Sequence, residues 1–178
     1  MKGPIRPEFR QLLMEQRGAA VIIWSCFMIS IVIYIVIARN ILANPRFGSG
    51  FSFAASGRIV LWILVAIDLG YLIWWKTHYL TIAALVDKTK QSKLLHALDS
   101  YQGDIEQLAA SVVSTFVTRR IALYAIIEAL AVYGLILAVV GRYFIDQYLL
   151  SGLSLVLLTF EFPGQKSLER SIAAAEAM

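Results

Sequence analysis

An all-α, polytopic membrane protein with four transmembrane helices is the fold class that the sequence predicts, and two observations support it. Hydrophobic residues make up 59% of the 178 residues and the mean hydropathy is +0.71, whereas soluble domains are about 45–50% apolar. These residues are concentrated in a few runs, and about 20 apolar residues in a helix cross a bilayer. We therefore expect one membrane domain over residues 1–178, with spans at about 19–38, 58–75, 120–141 and 147–162.

The N-terminus is basic, and its apolar residues fall at helical spacing after Pro7, which predicts a short interfacial helix lying on the membrane. The apolar run that follows, 19–38, is longer than the 7–15 residues or so of a signal-peptide core, so it is expected to stay as the first span. The single cysteine, Cys26, lies inside this run and excludes a disulfide within the chain. We interpret it as a small apolar packing residue.

The second and third spans are joined by a long connection, residues 76–119, that carries a helical pattern. Gly103 followed by Asp104 and Gln107 is typical of a turn and a helix start. We therefore expect helices 2 and 3 to continue into a helical stalk, with one helix of about 55 Å over residues 104–141. The apolar positions recur at alternating steps of four and three, namely Leu94, Leu98, Tyr101, Ile105, Leu108 and Val112.

Lysine and arginine are biased toward the N-terminus and the stalk, which predicts that both termini and the stalk are cytoplasmic. The basic residues of the stalk either form a solvated face or contact anionic lipid or a partner protein. Those candidate contact residues are Lys88, Lys90, Lys93, Arg119 and Arg120.

Two carboxylates inside the spans are the candidate proton- or ion-binding residues, Glu128 and Asp68. A charged group in hydrocarbon costs at least about 2.5–3.5 kcal/mol on insertion scales, so it has a partner or a function. Both lie about 10–12 Å from the predicted cytoplasmic boundary, so a pair sharing one proton is one interpretation. The other is that each is protonated and only hydrogen-bonds a neighbouring helix. Glu161, near the end of the last span, is expected to reach the headgroups.

Small residues on the face of Glu128 predict close helix packing, because they let a second backbone approach. That face continues along the third span through Ala131, Gly134, Ala138 and Gly141.

The sequence lacks the marks of a catalyst or a cofactor protein. The two histidines, His78 and His96, both lie outside the predicted spans, where a transmembrane haem would not find two ligands. No metal-ligand spacing, P-loop or nucleophile elbow is present. We therefore expect no cofactor, no metal, no nucleic-acid partner and no catalytic activity of the chain on its own.

Residues 128–141, EALAVYGLILAVVG, resemble the ion-carrying helix of rotary ATPase subunit c, in which a carboxylate precedes a similar apolar run. The resemblance implies that Glu128 is an ion carrier. It covers only that segment, and the Gly-rich first helix of subunit c has no counterpart here. The overall pattern is also similar to uncharacterised bacterial four-span membrane proteins, a resemblance that implies location in the inner membrane of a bacterium but no activity.

Together these features predict a small integral membrane subunit of a larger, energy-transducing membrane complex, with a structural or assembly role. Its expected partners are the lipid bilayer and other membrane subunits or further copies of itself. The alternative is a proton- or ion-translocating subunit that uses Glu128, with Asp68.

Overall fold

A computed structural model describes residues 7–43, 54–80 and 104–164, with the single positions 169 and 173. All regular secondary structure in this part of the chain is α-helical. The helices are α1 (Pro7–Ala43), α2 (Ala54–Tyr79), α3 (Asp104–Gly141) and α4 (Phe144–Phe160).

Three of the described helices are long and apolar enough to cross a membrane, and the prediction of an all-helical chain with long apolar helices is confirmed. Their candidate spans are Arg17–Ala43, Ala55–Tyr79 and Val112–Gly141, each somewhat longer than expected. The fourth helix, α4, has 17 residues and a length of about 25 Å, shorter than the bilayer core of about 30 Å.

The N-terminal helix differs from the prediction. A separate interfacial helix was expected before the first span, but α1 begins at Pro7 and continues without a break to Ala43. Proline suits the first helical position because its missing N–H would have no intrahelical partner there. No residue between 8 and 18 breaks helical geometry, so the basic segment and the apolar run form one helix.

Helix α3 begins at Asp104 and ends at Gly141, as the sequence predicts. The other half of the expected stalk, residues 81–103, lies outside the described residues, and so do Lys88, Lys90, Lys93 and His96. The two-helix stalk therefore stays a prediction.

The turn between α3 and α4 is shorter than expected, because α4 begins at Phe144 and takes Asp146 into its first turn. Arg142 has a φ of 57°, in the left-handed region that commonly ends helices. The N–H groups of Arg142 and Tyr143 donate to the carbonyls of Ala138 and Leu137, at 3.1 and 3.2 Å. A Cβ on Gly141 would lie 2.2 Å from the Tyr143 ring, so any larger residue here would force that ring to move.

The chain divides into two compact units. One comprises Met1–Ile23, Trp75–Ala122 and Pro163–Met178, and the other Trp24–Trp74 and Leu123–Phe162. The second unit contains α4 and most of α2, and it holds a cluster of apolar side chains contributed by α2, α3 and α4. The buried members of that cluster are Val65, Leu130, Leu137 and Leu150.

Candidate functional site

Glu128, the first candidate residue, faces α1. Ser30 and Tyr34 lie one turn apart on α1, and both hydroxyls reach Oε1 of Glu128, the Tyr34 oxygen at 2.9 Å. The Ser30 hydroxyl also lies 2.8 Å from the carbonyl of Phe27. A hydroxyl has one proton to donate and can accept as well, so Ser30 can bond to Glu128 in either protonation state.

These contacts give Glu128 two satisfied states. When the carboxylate is charged, both hydroxyls can donate to it. When Glu128 is protonated, it can donate to Ser30, and Ser30 then donates to the Phe27 carbonyl. Glu128 therefore has a hydrogen-bond partner in either protonation state.

Asp68, the second candidate, has a different partner. The Tyr133 hydroxyl of α3 donates to its Oδ2 at 2.8 Å. Tyr133 is five residues after Glu128, which places the two side chains about 140° apart around α3. The expected pair sharing one proton is therefore not what the structure shows, because Asp68 and Glu128 bond to different hydroxyls and not to each other.

The predicted small-residue face packs against α4 of the same chain. Ala131 and Ala138 are fully buried, and a Cβ on Gly134 would lie 3.2 Å from the Cα of Gln147. Because the α3–α4 connection is only two residues long, the two helices run antiparallel as a hairpin. The face is thus occupied within the chain at Gly134, whereas Glu128, which was expected on the same face, contacts α1 instead.

A polar stripe on α4 completes this contact, and the sequence reasoning missed it. Gln147, Ser151 and Ser154 are all fully buried. The Gln147 amide donates to the Ser151 hydroxyl at 3.0 Å, and the Ser154 hydroxyl donates to the Ile127 carbonyl at 2.7 Å. The spacing of these three polar residues, four and then three positions apart in an otherwise apolar helix, could have indicated the stripe from the sequence.

An ion pair between Arg58 and Asp146 was also missed. The Arg58 Nε lies 2.6 Å and its Nη2 3.0 Å from the two carboxylate oxygens, a two-pronged contact. Asp146 is 3% exposed, whereas Arg58 is 47% exposed. The Arg58 guanidinium also lies 4.8 Å from the centre of the Tyr143 ring. The sequence places both charges near predicted span ends but does not indicate that those ends meet.

The predicted contact residues Arg119 and Arg120 are not both at the surface. Arg119 is buried, donates to the Tyr79 carbonyl and lies 5.5 Å from the centre of the Tyr79 ring. Arg120 is half-buried, with its guanidinium 5.0 Å from the Phe116 ring centre. Their contact with lipid or a partner stays a prediction.

Glu161 corrects a further expectation. Its side chain was expected to reach the headgroups, but the residue is only 8% exposed. Its carbonyl accepts a hydrogen bond from the buried Tyr124 hydroxyl at 3.1 Å. Glu161, just after the end of α4, therefore packs into the protein.

Within the described ranges, no group of three or more histidine, cysteine or acidic side chains is placed to hold a metal ion. The sequence matches no protein-family model, no curated protein and no solved structure.

Proposed function

We propose that this chain is a small integral membrane subunit of a larger, energy-transducing complex, in which it serves as a rigid structural component. The observation that carries the proposal is a set of four polar contacts between helices in the Trp24–Trp74 and Leu123–Phe162 unit, here called the polar ties. Each polar tie joins a different pair of helices, and together they link the four helices in a ring. The pairs are Glu128 with Ser30 and Tyr34 (α3 to α1), Asp68 with Tyr133 (α2 to α3), Arg58 with Asp146 (α2 to α4), and Trp24 with the Leu158 carbonyl (α1 to α4).

These ties use the acidic side chains of the described spans to hold helices together. In a bilayer, helices gain little from hydrophobic burial, so packing and interhelical hydrogen bonds hold a bundle. Because the Glu128 and Asp68 carboxylates already have partners inside the chain, a structural role accounts for both. The outer surface of α1 and α2, by contrast, exposes many large apolar side chains.

That outer surface is large. In the most apolar 18 residues of each candidate span, only 11% are buried in the first two spans, against 44% in the third. On α2, Ala66 is exposed, and a Cβ on Gly70 would meet no atom within 4 Å. Small residues four apart on an open face suit the close approach of another transmembrane helix, which supports a partner subunit here.

The proposal is tested by purification from native membranes in mild detergent, with native gels and crosslinking to follow the size of the complex. We expect the chain to migrate with partner subunits and Gly70→Leu to release it. Gly57→Leu is the matched control, because Gly57 is on the same helix, also has open space above it, and lies about 140° from Gly70. A lone monomer in wild-type membranes would refute the subunit role.

A second candidate function is translocation of a proton or cation by Glu128, which its two satisfied protonation states favour. Glu128→Gln keeps the shape and one acceptor but cannot carry a proton as a carboxyl group does. We expect that variant to assemble normally while abolishing proton movement in energised membrane vesicles. If Glu128→Gln instead fails to assemble, or retains full transport, the carboxyl group is structural.

A further inference from the structure

A groove lies where the end of α1 meets the α3–α4 turn. It is lined by Arg39, Leu42, Ala43, Arg142, Phe144 and Tyr148. Two of these residues are arginines and none is acidic. The groove is therefore a concentration of positive charge beside apolar and aromatic side chains.

The acidic residue in the first turn of α4 binds an arginine outside the groove. Asp146, in the same first turn of α4, is already paired through both oxygens with Arg58. Arg39 is exposed, and Arg142 donates through Nη2 to the Leu42 carbonyl at 2.7 Å. The N-terminus of α4 adds partial positive charge, because the first N–H groups of a helix have no intrahelical acceptor.

Arg142 takes the left-handed conformation, φ 57°, where glycine is the usual residue. For a residue with a side chain this costs about 1–2 kcal/mol. The hydrogen bond from Arg142 to the Leu42 carbonyl explains part of the preference for arginine over glycine at this position, since it caps the carbonyl end of α1. The same backbone conformation brings the Arg142 side chain to the groove beside Arg39.

We propose that this groove binds the phosphate headgroup of an anionic phospholipid. Guanidinium groups match phosphate oxygens in a planar, two-pronged contact. The groove lies at the end of the candidate span Arg17–Ala43, at headgroup level. Phe144 and Tyr148 are about half exposed, which suits aromatic side chains at that level, beside the upper part of an acyl chain.

The test uses the full chain purified in mild detergent with an equal mixture of phosphatidylglycerol and phosphatidylcholine, and native mass spectrometry to count bound lipids. We expect wild-type protein to retain phosphatidylglycerol preferentially and Arg39→Gln to lower that preference about fivefold, the effect of losing one exposed ion pair with the headgroup phosphate. Lys76→Gln is the matched control, since Lys76 is exposed at the far end of α2. It is expected to leave the preference unchanged.

Three results would overturn the inference. They are equal retention of the two lipids by wild type, no effect of Arg39→Gln, or an equal effect of Lys76→Gln. Glycerol phosphate is added as a soluble competitor in a parallel sample. If it displaces the lipid completely at low concentration, the groove recognises free phosphate compounds and the lipid assignment is wrong. None of these results depends on whether the chain has partner subunits.

Discussion

Gly134 offers a sharp test of the α3–α4 contact, because the space for a side chain there is already filled. A Cβ at this position would lie 2.7 Å from Oε1 of Gln147, 3.2 Å from its Cα and 3.2 Å from Cβ of Leu150. Two of these three atoms are backbone or Cβ and cannot move without shifting α4. The Gln147 side chain is fully buried, so its amide has little room to turn away.

The expected magnitude for Gly134→Ala is the difference of two terms. Alanine is favoured over glycine inside a helix by about 0.8–1.0 kcal/mol. Adding a methyl group to a filled core costs about 1–3 kcal/mol. Because the contact at Gly134 involves backbone, we expect the steric term to be larger and the free energy of unfolding to fall by about 1 kcal/mol.

Gly152→Ala is the matched control, since Gly152 is on α4 of the same hairpin and a Cβ there would meet no atom within 4 Å. This variant gains helix propensity without a steric cost and is expected to be up to about 1 kcal/mol more stable. The two variants should therefore differ by about 2 kcal/mol, roughly 30-fold in the unfolding equilibrium.

The assay is reversible unfolding in mixed micelles with an increasing fraction of denaturing detergent, followed by circular dichroism and tryptophan fluorescence. The order expected is Gly152→Ala, then wild type, then Gly134→Ala. If Gly134→Ala is as stable as Gly152→Ala, α4 does not pack closely against α3 at Gly134, and the reasoning from the filled space at this position is refuted.

Three further changes test the polar ties by the same unfolding assay. Arg58→Gln leaves the buried Asp146 carboxylate without its cation and should lower the stability of the protein. Adding Asp146→Asn to this variant should recover most of the lost stability. If the single and double variants lose the same stability, the pair does not interact. Tyr133→Phe removes the hydroxyl that bonds Asp68 and should lower the free energy of unfolding by about 0.6–1.7 kcal/mol. Unchanged stability of this variant would contradict the prediction. Trp24→Phe removes the 2.8 Å bond from its indole N–H to a carbonyl of α4 and should lower stability by a similar amount, with loosening of α1 visible as faster hydrogen exchange there.

Much of the fold follows from the sequence, because apolar runs longer than a bilayer crossing form helices whatever their neighbours. That reasoning predicted the bounds of α3, Asp104–Gly141, from a turn residue and a start signal at one end and the run of apolar residues to the other. It also identified Glu128 and the small-residue face at Ala131, Gly134 and Ala138. These features are local, because each depends only on the residues within one helix.

Which helix each feature meets was decided only by the tertiary structure. The small-residue face packs on α4, Glu128 turns to α1, and Asp68 finds Tyr133 on α3. These choices depend on the rotation and depth of every helix at once, and hydrophobic patterning is nearly uniform around helices that are apolar on all sides. The sequence by itself thus determined that polar groups in these helices need hydrogen-bond partners. Three-dimensional packing determined which residues on which helices supply them.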